Sequence, residues 1–220
     1  MRARVVWIVV IGALFFSCRE IQPLQPSRSV NGYQLSGIVT TPDGLPLSGV
    51  EIRVFYNYDL VQNNPIDTQQ VVVRDSSKIV DVAVYTSNYR LVQELFLGYR
   101  PTGPVPRFTW NGFDDDGNLV PSGKYLMRYV VDTVIVKYST LIVDGHPTTL
   151  SDTSGHFTLT ADRLPIDEVF DHYRLNNTYE GTYVVLPAID ITLKKSTLSK
   201  TYTGITLVRN RIMSIAFTLE

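Results

Sequence analysis

Cysteine and histidine are nearly missing from this chain: its 220 residues include 1 Cys and 3 His. A single thiol closes no internal disulfide and builds no Cys-rich zinc site, so the fold must rest on an apolar core. Scattered His leave little material for a metal centre or a catalytic triad, and no cofactor is expected. Charge is also scarce. Charged residues are 19% of the chain, with 20 Lys plus Arg against 21 Asp plus Glu and a formal net charge of -1. Nucleic-acid binding needs a basic face, so that class is excluded. A P-loop, a dinucleotide fingerprint and a Gly-x-Ser-x-Gly elbow are all absent. What is present is apolar: 44% hydrophobic residues and 13 Tyr, enough for a core and suggestive of β-structure or a contact surface.

The chain opens with Arg2 and Arg4 and then the apolar run Val5–Phe16. As a helix that run is about 18 Å long, well short of a hydrocarbon core of roughly 30 Å, so it reads as the h-region of an export signal. Leu14-Phe15-Phe16-Ser17-Cys18 ends the run on a small residue and the sole Cys. This resembles the lipobox of bacterial lipoproteins. The resemblance implies cleavage after Ser17, acylation of Cys18 and a membrane partner through that N-terminal lipid anchor. Several acyl chains anchor firmly, at about 0.8 kcal/mol per buried CH₂. Arg19, rather than Asp, follows the Cys, which leans the expected location in the bacterial cell envelope towards the outer membrane. Residues 1–17 are thus expected to be the signal peptide. Residues 18–32, polar and carrying Pro23 and Pro26, are expected to be a tether.

The rest reads as all-β. Val50-Glu-Ile-Arg-Val alternates apolar and polar, and short β-branched or aromatic runs recur up to Ile212–Leu219. Turn signals such as Asp43-Gly44, Asp116-Gly117-Asn118 and Ser154-Gly155 separate them, the pattern of a sandwich or barrel. Ile166, Val169, Phe170 and Tyr173 alone have helical spacing, enough for a turn or two at most.

Ser36 to Ile52 contains Gly-Ile-Val, Asp43-Gly44, Pro46-Leu47 and Gly49-Val50. It resembles the opening of the carboxypeptidase regulatory-like, or transthyretin-like, β-sandwich family. That family continues with Thr-Asp-x-x-Gly-x-Phe, met here as Ser151-Asp152-Thr153-Ser154-Gly155-His156-Phe157. Far more chain than the family's short link separates the two motifs. Within the added chain, Trp110-Asn-Gly112-Phe-Asp114 is followed by Gly117-Asn-Leu-Val-Pro121-Ser-Gly123-Lys-Tyr125. This resembles the Ig-like module of the flagellar hook-capping (FlgD-type) family. In that reading Trp110 anchors a core, Asp114 to Asn118 turn, and Tyr125, Met127 and Tyr129 share one face of a strand.

A two-stranded hairpin is marginal alone, so residues 33–60 must join strands from 141–220. The expectation is two small β-sandwich modules, one inserted in the other. The outer is a discontinuous carboxypeptidase regulatory-like sandwich (33–60 plus 141–220), and the inner is a FlgD-type Ig-like sandwich (61–140). The alternative is one merged sandwich.

Candidate chemistry is thin. Asp114-Asp115-Asp116 lacks EF-hand spacing and suits a turn. Asp152 and His156 flank a turn rather than a nucleophile. His146 and His172 read as solvated loop residues. Asn176-Asn-Thr178 is a sequon in form and a polar loop in expectation. Of the aromatics, Tyr58, Tyr89 and Tyr99 read as loop residues able to line a contact site. These readings point to a non-catalytic, lipid-anchored envelope protein that presents interaction or assembly modules to a protein or glycan partner. The alternative is a carbohydrate-binding or adhesive lipoprotein using those loop aromatics.

Overall fold

The computed structural model describes residues 31–101 and 103–220, so the expected signal, Cys18 and most of the tether lie outside the described residues. Every regular element within them is a strand, and the fold is all-β. In chain order the strands are β1 (Tyr33–Thr40), β2 (Glu51–Gln62), β3 (Val72–Val73), β4 (Val80–Thr86), β5 (Leu91–Tyr99), β6 (Gly103–Pro104) and β7 (Gly123–Val131). They continue as β8 (Val134–Val143), β9 (Pro147–Leu150), β10 (His156–Leu159), β11 (Val169–Tyr173), β12 (Tyr179–Lys195), β13 (Leu198–Thr206) and β14 (Arg211–Thr218).

Alternation in the sequence becomes alternation in burial. Tyr33, Leu35, Gly37 and Val39 of β1 face inward while the residues between them are half-exposed. β1 lies between β10 and β14, antiparallel to the first and parallel to the second. A second sheet runs β11-β12-β2-β9, with β13 also paired to β12. The two sheets close on an outer core that includes Leu35, Ile52, Val54, Ile191 and Phe217. Fully burying side chains of this size contributes roughly 1.5–3 kcal/mol each.

A separate sheet, β5-β4-β7-β8, and the short pair β3-β6 enclose an inner core. It holds Val82, Val84, Tyr125, Met127 and Tyr129, so the expected shared face of β7 is the buried one. The chain passes from one core to the other along β8. Leu141 packs against the inner core and the next residue, Ile142, against the outer, because successive strand residues point to opposite faces. β9 then pairs with β2 at Glu51–Arg53.

The helical spacing at 166–173 does not become a helix. Val169–Tyr173 is β11, where pairing with β12 satisfies the backbone and Phe170 enters the outer core.

Candidate functional site

The two distant motif halves meet in space. Gly155 approaches β1 so closely that a Cβ there would lie 2.4 Å from the Val39 carbonyl oxygen, and its φ of 76° suits glycine. Ser151 is buried; its hydroxyl donates to the Leu47 carbonyl (2.6 Å) and accepts from the Val50 N–H (2.9 Å). Gly37 leaves room for the ring of Phe157. Asp152 accepts from the N–H groups of Ser154 and His156, both at 2.8 Å. Its carboxylate therefore closes a turn. Asp114 does the same work in the inner sheet, accepting from the N–H groups of Asp116 (3.1 Å) and Asn118 (2.8 Å). Asp43-Gly44 and Gly49 form the turns before β2, with φ of 81° at Gly44 and 67° at Gly49.

The hook-capping motif mostly faces the junction between the cores. Trp110 meets Tyr125 edge-on at 4.9 Å and donates its indole N–H to the Phe113 carbonyl (2.8 Å). Tyr125 donates to the Pro121 carbonyl (2.7 Å) and accepts from Arg163 (3.1 Å) across the junction. A Cβ on Gly123 would stand 2.5 Å from the Asp162 carbonyl oxygen, and one on Gly112 would stand 2.7 Å from the His146 ring. Gly117, by contrast, has open space around it and φ 78°, the signature of a plain turn.

His146 is therefore no solvated loop residue. Its ring nitrogen Nδ1 lies 2.9 Å from the Val120 carbonyl, and its N–H donates to the Ser122 hydroxyl at the same distance. Beside it, Asp144 accepts from the Tyr58 hydroxyl (3.0 Å) and the Tyr56 N–H (3.2 Å). Burial raises the Asp144 pKa, outweighing those hydrogen bonds, and burial raises that of Tyr58 too, with Asp144 adding to the effect.

The loop aromatics do not form one surface. Tyr58 lies on β2, half-buried against Phe170 and Tyr183, because that strand continues to Gln62. Tyr99 ends β5 and packs on Phe96. Tyr89 alone is a turn residue, 62% exposed, its ring meeting Tyr138 edge-on.

Sequence reasoning missed the slot at the junction. A cavity of about 280 Å³ lies between β8 and β11, with Arg107, Phe108 and Trp110 in its wall. Asp171 of β11 accepts from the N–H groups of Ile66 (3.0 Å) and Asp67 (2.9 Å), pinning the segment that leaves β2. Asp67 in turn pairs with Lys137 (2.9 Å) and Ser139 (2.8 Å). Arg107 lies 4.0 Å over the Tyr173 ring and donates to the Asp67 carbonyl (3.2 Å). Nothing local in the sequence marks these residues, since each partner comes from another segment. No group of three or more His, Cys, Asp or Glu side chains placed to hold a metal occurs among the described residues.

No curated protein matches the chain, and no solved structure does. Residues 61–133 match the FlgD Ig-like domain family, a stretch that takes in β3 to β7 and stops just before β8. The segment enclosing the inner core is thus an Ig-like module similar to the FlgD Ig-like domain.

Proposed function

We propose that the chain is a non-catalytic, lipid-anchored protein of the bacterial cell envelope, at the outer rather than the inner membrane, whose β-sandwich modules serve interaction or assembly. The outer core, from 33–60 and 141–220, is read as the carboxypeptidase regulatory-like module, with the Ig-like module inserted in it. One observation carries the interaction reading: the Ig-like stretch is fastened to the outer sheets by motif residues themselves. Gly112 fits His146 and Gly123 fits Asp162, so the polar groups around these two glycines hold one module against the other. Crosslinking in intact envelopes followed by pull-down tests this reading, which predicts capture of a specific envelope partner. The anchor is tested separately. Cys18→Ser is expected to abolish uptake of labelled fatty acid and release the chain from membranes, and labelling that survives the substitution would refute lipidation.

A carbohydrate-binding or adhesive role is the second reading. It is favoured by the exposed Tyr89–Tyr138 pair, which presents aromatic surface on the inner sheet. Loss of polysaccharide pull-down in Tyr89→Ala is its expected outcome, and unchanged binding removes that pair.

A further inference from the structure

Six consecutive residues of β8, Tyr138–Val143, and all five of β11 border the slot at the junction. Consecutive residues alternate between sheet faces, so the slot must lie along the edges of the strands. No ladder joins β8 to β11 among the described residues, although each is the last strand of its sheet. The walls combine two kinds of surface. Trp110 presents aromatic carbon, and Tyr138, 43% exposed, stands at the mouth. Arg107, Thr140 and His172 present polar groups.

Asp67 is paired with Lys137, and Glu180, beside His172, is paired with Arg174. Arg107 has no carboxylate partner among the described residues, and its guanidinium is held over the Tyr173 ring with N–H groups to spare. Asp171 is held only by neutral donors, namely two backbone N–H groups and the Thr182 hydroxyl. One such cation and one such anion in the same wall leave no surplus charge of either sign to select an ion. A purely apolar ligand would strand the polar groups against carbon. A neutral polyhydroxylated ligand meets both demands. Its C–H faces lie on aromatic rings, and its hydroxyls both donate and accept, matching a guanidinium fork and a carboxylate together.

We propose that the slot between β8 and β11 binds one or two rings of a neutral saccharide, with Trp110 as the stacking surface and Arg107, held in place over Tyr173, as the hydroxyl-binding fork. The volume is close to the lower end of the range for small-molecule pockets, which begins at roughly 300 Å³. This rests on the second reading above and moves its binding site from Tyr89 to the junction.

Trp110 lines the slot and serves as its own reporter. The chain has 2 Trp, and a Trp7→Phe background silences the other. The full chain in that background is titrated with cellotriose, chitotriose and trigalacturonate while Trp110 emission is followed. A saturable shift with a neutral trisaccharide is expected. It should be lost in Tyr173→Ala and in Arg107→Lys, which keeps the charge but not the fork, and retained in Tyr89→Ala. Thermal melting verifies that each variant is folded. If Tyr173→Ala destabilises the junction, Arg107→Lys carries the test alone. Response to trigalacturonate only, or to none of the three, overturns the proposal. Saccharide binding that survives Tyr173→Ala and Arg107→Lys but fails in Tyr89→Ala overturns the slot while leaving the carbohydrate reading standing.

Discussion

In the outer core, strands find their neighbours across most of the chain: Tyr33 pairs with Arg211 and Leu35 with Leu159. In the inner core, neighbours follow one another, as β4 with β5 and β7 with β8. Both end in layered sheets over aliphatic and aromatic side chains. They differ in what secures them. The inner sheet has two local hairpins, β4-β5 and β7-β8, joined by one longer-range ladder between β4 and β7, whereas the smaller outer sheet must bring distant segments together for both of its ladders. The strands of the inner core, β3 to β8, all lie in the connection between β2 and β9 of the outer one.

The sharpest way to break the comparison is to damage one core and watch the other. Phe217 is fully buried among Phe157 and Tyr202. Phe217→Ala is expected to cost the outer core about 3–5 kcal/mol. Trp110 emission should then report an inner core that melts later than the far-ultraviolet signal of the whole chain. A single coincident transition would mean that the two cores unfold as one.

Gly123→Ala attacks the seam. Its Cβ would press on the Asp162 carbonyl, and the φ of 151° is one that side chains rarely adopt. A loss of about 1–3 kcal/mol is expected, with the two transitions moving apart in calorimetry. Asp144→Ala should cost a similar or smaller amount, about 1–3 kcal/mol, because the Tyr56 N–H and Tyr58 hydroxyl lose their acceptor. Its pH signature has a definite sign. Burial raises the Asp144 pKa above the ordinary carboxyl value, so the folded state holds its proton more tightly than the unfolded chain does. The group therefore favours folding below that ordinary carboxyl value, and the contribution is lost as pH rises through the raised one. Asp144→Asn should flatten that part of a melting-temperature profile. Asp132, at the tip of the inner sheet, has the opposite sign. The Lys78 hydrogen bond lowers its pKa, and its contribution is lost as pH falls.

The smallest effect belongs to the Lys124–Glu168 pair across the seam, at 2.6 Å and partly exposed on both sides. Glu168→Gln is expected to cost under about 1 kcal/mol, and less in high salt.

Much of this comparison is legible in the sequence where the signal is local. Tyr125, Met127 and Tyr129 announce an inward face by spacing alone, and Asp152 to Gly155 announce a turn. The all-β class follows from many such short signals. Legibility fails where a residue's role is set by a partner from elsewhere. Tyr58 follows Tyr56 in an alternating run that dissolves into Asp59-Leu60-Val61, and a loop was the natural reading. β2 continues there because β12 supplies a ladder to pair with it. Val169 to Tyr173 have a helix's spacing, yet a neighbouring strand decides their conformation. His146, Asp171 and Arg107 carry no local mark, and their contacts at the seam exist only once both cores have formed.

The parallel pairing of β1 with β14 has a consequence for the order of events in time. A chain synthesised from its N-terminal end presents β1 long before its parallel neighbour β14 exists. During that wait β1 offers an open edge with alternating apolar side chains, a template for wrong partners. The hairpins β4-β5 and β7-β8 can close meanwhile, which shortens the free chain that β14 must later search across. The smaller outer sheet can be completed only after the last strand has been made, and the interval before that is when β1 is most open to misassembly.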